Sequence, residues 1–162
     1  MLIRHAKAAD GSPDVSRVLA PRGEREAPVI GTWLASQGIH VDHAVVSPSA
    51  RTRQTWRLAA STMGEPAATV EVDDRIYDNN VRNLLAVVHE ASDDTQTVAL
   101  VGHNPSMHEL AVILDDGTGD ADARAAMASE FPTSTVAVYT VEEWSDVAPR
   151  TCRLVAFAIC RD

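Results

Sequence analysis

The chain has 162 residues, 45% of them hydrophobic, 23% charged and only 4% aromatic. That is a soluble globular composition, long enough for one core of aliphatic side chains and alanine without a disulfide or metal staple. A formal net charge of -9 argues against nucleic acid and anionic membrane as partners, so an anionic substrate needs a local cluster of arginines.

No apolar run approaches the roughly 20 residues of a membrane span, and no basic stretch followed by a long apolar run opens the chain. The expectation is a cytoplasmic, monomeric protein with a single domain over 1–162. Met1, Leu2 and Ile3 read as a strand that stops at Arg4 and His5. Arg4 offers a planar fork of donors suited to a phosphoryl or carboxylate group, and His5 an imidazole able to act as nucleophile, base or ligand near neutral pH. Residues 8–17, with Asp10, Gly11, Ser12, Pro13 and Asp14, have the composition of a loop. The spacing of Ala27, Ile30, Trp33 and Leu34 then predicts a helix over 22–37 ended by Gly38. Pro28 conflicts with it, requiring either a kink or a later start.

Residues 41–46 form a β-branched run that stops at Ser47. Ser47 as N-cap and Pro48 at the first helical position predict a helix carrying Arg51 and, on one face, Trp56, Ala59, Ala60 and Met63. Residues 70–72 read as a short strand, 73–80 as a polar loop around Ile76 and Tyr77, and Leu84, Leu85, Val88 and Ala91 as a helix face. Residues 97–101 are continuously apolar, as in the middle of a parallel sheet, and end at Gly102 and His103. Asn104 and Pro105 repeat the cap signature for a helix with Met107, Leu110, Ala111 and Leu114. The acidic stretch 115–122 lacks a glutamate at the closing position of a calcium loop. A short helix over 121–128 and strands over 134–141 and 152–159 complete the chain. Cys152 and Cys160 lie about 26 Å apart if one strand carries both, at about 3.3 Å per residue. That separation forbids a disulfide.

Arg4 and His5, Arg51, and His103 each follow the end of an apolar strand. In an open α/β sheet, ligands bind outside the carboxyl ends of the strands. If the three strands are parallel neighbours, two guanidinium forks, two imidazoles and two helix N-termini meet in one pocket suited to a phosphoryl group.

RHAK at 4–7, SPSARTRQT at 47–55 and VGHNP at 101–105 resemble the three signatures of the phosphoglycerate-mutase-like histidine phosphatase superfamily. With LAPRGEREA at 19–27 and RIYDNNVRNLLAVV at 75–88, the pattern is similar to the small branch that includes the phosphohistidine phosphatase SixA. The resemblance covers roughly residues 1–115 and implies a three-layer α/β/α fold around a mostly parallel sheet. It further implies that His5 attacks phosphorus, that Arg4 and Arg51 clamp the transferring oxygens, and that His103 completes the pocket.

No cofactor or metal is expected, since two guanidiniums supply the charge neutralisation. Asp78, beside Tyr77, is the nearest candidate for the general acid that larger members carry in this segment. Arg22 and Asn104 are further candidates for substrate contact, against bland readings as a solvated residue and a helix cap. The expected partner is a phosphohistidine-bearing protein. The alternatives are a small phosphorylated metabolite, a module that binds phospholigands without turnover, and a histidine-based metal enzyme sensitive to chelators.

Overall fold

A computed structural model describes residues 1–64 and 66–161. Among the described residues, six strands form one sheet in the order β3-β2-β4-β1-β5-β6: β1 is Leu2–Arg4, β2 His43–Val46, β3 Thr69–Val72, β4 Val98–Gly102, β5 Thr135–Thr140 and β6 Arg153–Ile159. The first four strands of that order pair in parallel, while β5 runs antiparallel to both β1 and β6. The continuous apolar run of β4 sits between β2 and β1 and is buried along its whole length, as a doubly covered strand must be.

Strand alternation sorts the core into two layers. Leu2, Val45, Val98 and Leu100 pack with Ile76, Leu84, Leu110 and Met127 on one face of the sheet. Ile3, Ala44, Val46, Ala99 and Val101 pack with Ile30, Leu34 and Trp56 on the other. Helices α1 (Pro21–Ser36) and α2 (Ala50–Ala60) therefore cover one face. Helices α3 (Asp74–Tyr77), α4 (Val81–His89), α5 (Ser106–Leu114) and α6 (Ala121–Ser129) cover the other. This is the three-layer α/β/α architecture with a mostly parallel sheet that the family resemblance implies.

Several local expectations need correction. Helix α1 begins at Pro21 and continues past Pro28 to Ser36, so its regular part does not start later. The side chains of Thr32 and Thr62 donate to the Pro28 carbonyl. Gly38, at φ 66°, adopts the left-handed conformation that ends the helix. The cap of α2 is Ser49, whose hydroxyl accepts from Thr52 N, and not Ser47. Asn104 does not cap α5 either; the Asn79 side chain reaches in from a distant loop and accepts from Ser106 N at 3.0 Å. The 73–80 segment, expected as loop, contains the single turn of α3, started by Asp73 accepting from Arg75 N.

The acidic stretch after α5 has structural work: Asp115 pairs with Arg124 at 2.8 Å and Asp120 caps α6. Cys152 and Cys160 flank β6 and are buried free thiols.

Candidate active site

Parallel pairing in register aligns the carboxyl ends of β1, β2 and β4. Arg4 lies opposite Gly102 and Val46 opposite Val101. The chain then continues the ladder for one more bond on each side, from His5 N to Gly102 O at 3.1 Å and from Ser47 N to Val101 O at 3.0 Å. His5, Ser47 and His103 thus leave the sheet side by side, and the first turn of α2 brings Arg51 over them.

The geometry of the cluster is tight. Arg51 Nε–H donates to His5 Nε2 at 3.3 Å, and Arg51 Nη2 lies 3.2 Å from His103 Nδ1. The two imidazole centroids are 5.2 Å apart. His5 Nδ1 lies 2.7 Å from the Ala6 carbonyl. A carbonyl only accepts, so the His5 proton sits on Nδ1 and the lone pair on Nε2 faces Arg51. By the same logic His103 accepts from Arg51 at Nδ1 and donates from Nε2 to Ser47 Oγ at 2.8 Å.

Burial pushes His5 down to about 4 and His103 to about 3, and the neighbouring Arg51 charge adds to both shifts. Both rings are neutral at pH 7. Arg4 lines the same cleft of about 430 Å³ and donates to the Phe131 carbonyl at 2.8 Å. Its Nε is buried without a partner.

The backbone beneath the cluster is held from both sides. Thr55 Oγ1 donates to the Arg51 carbonyl at 2.7 Å and accepts from Ala6 N at 3.0 Å, coupling the residue after His5 to the helix that carries Arg51. Ser134, at φ 64°, donates its N–H to the His5 carbonyl. Its hydroxyl is fixed by Glu26, a carboxylate only 1% exposed that also pairs with Arg22 at 2.6 Å. Gly23 permits the close approach of α1, since a Cβ there would collide with the Lys7 carbonyl.

Arg4, His5, Arg51 and His103 are brought together. Asn104 also lines the cleft, its amide nitrogen donating to the Phe131 carbonyl and its Oδ1 buried and unpaired. Two of the sequence candidates lie elsewhere. Asp78 is exposed and accepts from Asn83, and Arg22 is engaged with Glu26; neither lines the cleft. Tyr77 and Asn79, the residues on either side of Asp78, line it instead because the turn of α3 points Asp78 outward.

The carboxylate that does enter is Asp14, from the loop expected to be irregular. Its Oδ2 accepts from Arg51 at 3.0 Å and from the Tyr77 hydroxyl at 2.8 Å, and its Oδ1 pairs with Arg17. These donors, Tyr77 foremost, hold Asp14 down at about 2, and the same contact raises Tyr77. Among the described residues, no three His, Cys, Asp or Glu side chains are gathered in a way that could hold a metal. His108, five residues beyond His103, stacks on Phe131 and bonds the Met127 carbonyl, a structural role.

The description of the histidine phosphatase superfamily, branch 1, matches residues 1–84. An uncharacterized protein of Mycobacterium tuberculosis, Rv1276c, is 37% identical over 98% of this chain and its own full length, and one from Mycobacterium leprae is 31% identical over the same shares. A structure from Nakamurella multipartitia, assigned as a phosphohistidine phosphatase SixA, superposes with a TM-score of 0.83 at 30% identity, covering 97% of this chain and 94% of that one. One from Agrobacterium tumefaciens, with the same assignment, gives 0.77 at 30% identity over 97% and 95%. The match begins at the first strand and includes Arg4, His5 and Arg51, three of the four side chains brought together in the cleft, and on that basis the chain belongs to the histidine phosphatase superfamily, in its SixA-like group.

Proposed function

We propose that this phosphatase removes the phosphoryl group from a phosphohistidine side chain of another protein through a phosphorylated His5. The observation that carries the reading is the neutral His5 Nε2, its lone pair free of a proton, facing the Arg51 guanidinium and His103 in the cleft that Arg4 also lines. The Nakamurella and Agrobacterium neighbours, assigned as SixA phosphohistidine phosphatases, support the substrate class.

In the first step the Nε2 lone pair attacks phosphorus and the bond from phosphorus to the substrate imidazole breaks. The leaving nitrogen keeps that electron pair and takes a proton from solvent. In the second step water attacks the phosphorus of phospho-His5, the P–Nε2 bond breaks, and inorganic phosphate departs. Arg4 and Arg51 neutralise the oxygens in both steps, which together with positioning is what phosphoryl transfer asks of a protein. His103 completes the pocket.

Asp14, held at about 2, is ionised at neutral pH and has no proton to give. Such a cleft suits a leaving imidazole better than an alkoxide, which needs stronger protonation. The test is a turnover comparison between a phosphohistidine protein and a panel of metabolite phosphomonoesters. Preference for the protein is expected. A clear preference for one metabolite would transfer the reading to a phosphomonoesterase, and phosphate binding with no turnover of either would make the protein a binding module.

A further inference from the structure

Four of the five N–H donors of Arg51 are engaged within the protein. Nη1 donates to the Asp14 carbonyl at 2.8 Å, Nη2 to Asp14 Oδ2 at 3.0 Å and His103 Nδ1 at 3.2 Å, and Nε to His5 Nε2 at 3.3 Å. The outer edge of the fork, Nη1 with Nη2, is thus occupied by a carbonyl and a carboxylate of one residue, in the bidentate manner in which a guanidinium holds two phosphoryl oxygens. Arg51 is only 8% exposed in its side chain, and a buried guanidinium without an anion is costly. Asp14 supplies that anion.

The residue doing so is itself poorly buried. The Asp14 side chain is 51% exposed, and residues 10–16 are exposed around it. Little apolar surface holds the loop in place, so withdrawing it costs little burial. What keeps the carboxylate inward, apart from Arg51, is the Tyr77 hydroxyl at 2.8 Å and Arg17 at 3.0 Å. A phosphoryl group arriving between His5 and Arg51 competes for the same nitrogens and adds its own charge next to that of Asp14.

We propose that Asp14 is a resident competitor for the phosphoryl site, its carboxylate and carbonyl occupying the outer edge of Arg51 until phosphoryl oxygens displace them. The inference rests on the phosphoryl-site reading above. Its consequence is that Asp14 weakens binding of every phosphoryl ligand, product phosphate included, and so favours product release. The incoming group trades places with Asp14, and Arg51 is never left without an anion.

Titration calorimetry with inorganic phosphate at pH 7.5 tests this on the wild type, Asp14→Ala, Asp14→Asn and Arg51→Met. Asp14→Ala is expected to bind phosphate about tenfold more tightly, equivalent to about 1.4 kcal/mol, with Asn shifting in the same direction. Product inhibition by phosphate should strengthen in parallel. Arg51→Met should lose binding. Equal or weaker binding by both Asp14 variants, while Arg51→Met still abolishes it, overturns the competitor and leaves the phosphoryl site standing. Undiminished binding by Arg51→Met, or no phosphate binding to any of the four proteins, overturns both.

Discussion

Arg51 Nε–H reaches His5 Nε2 across 3.3 Å, so the guanidinium assigned to the phosphoryl oxygens rests against the lone pair assigned to attack. A phosphoryl group that enters between the two takes the place of this hydrogen bond and of the Asp14 contacts of Arg51, while both side chains are already positioned in the cleft. Lysine cannot reproduce this arrangement, because one ammonium cannot touch His5, His103 and Asp14 in the plane that the fork spans. Arg51→Lys is expected to lower kcat/KM by about a hundredfold or more, the scale of losing a preorganised charge-stabilising donor, with the melting temperature changed little. Steady-state kinetics beside thermal melts check both parts.

The pH profile follows from the buried rings. His5 at about 4 and His103 at about 3 lie below an unperturbed imidazole at about 6.5. A group with a depressed folded pKa contributes its stability in full above the unfolded value and loses it as pH falls through the folded value. Stability in urea should therefore decline as pH drops from about 6.5 toward 4. The acid limb of kcat/KM, corrected for ionisation of the substrate, should lie below about pH 5, since kcat/KM reports the free enzyme. A limb near 6.5 would mean that His5 is not held as described.

Thr55 joins Ala6 N to the Arg51 carbonyl from a fully buried position. Thr55→Val keeps the shape and removes both bonds, leaving the Ala6 N–H without a partner beside His5. A loss of about 1 to 3 kcal/mol is expected from an unsatisfied buried donor, read by denaturant titration. A fall in kcat larger than the rise in KM would show that the bond also positions His5.

Asp78 is exposed and bonded to Asn83. Asp78→Asn should retain kcat within about twofold on a phosphohistidine protein, the surface-substitution expectation. A loss of tenfold or more, measured under the same conditions, would return Asp78 to the general-acid role suggested by its neighbourhood in sequence.

The residues legible from sequence were those that follow an apolar strand. Arg4, His5, Arg51 and His103 stand next to a change of pattern, and parallel register alone brings such positions together. Asp14 gave no signal of that kind, since it sits in an exposed loop without periodicity and meets Arg51 from 37 positions away. Ser47 and Asn104 carried a real cap signature through the prolines that follow them. Tertiary partners claimed both: His103 took the Ser47 hydroxyl, and the Phe131 carbonyl took the Asn104 amide. Their capping roles fell to Ser49, two residues on, and to Asn79 from another loop. The turn of α3 is too short for periodicity to show, and its rotation is what exchanges Asp78 for Tyr77 and Asn79 at the cleft.

The central claim is a covalent phosphoryl bond to His5. Brief mixing with a phosphohistidine protein labelled with radioactive phosphate, quenching in alkali and peptide mapping tests it directly. The account predicts an acid-labile, alkali-stable label on the peptide carrying His5 in wild type and none in His5→Ala, with turnover lost in the same variant. Full turnover by His5→Ala, or a wild-type enzyme that hydrolyses the substrate with no label at His5 at any quench time, would contradict it.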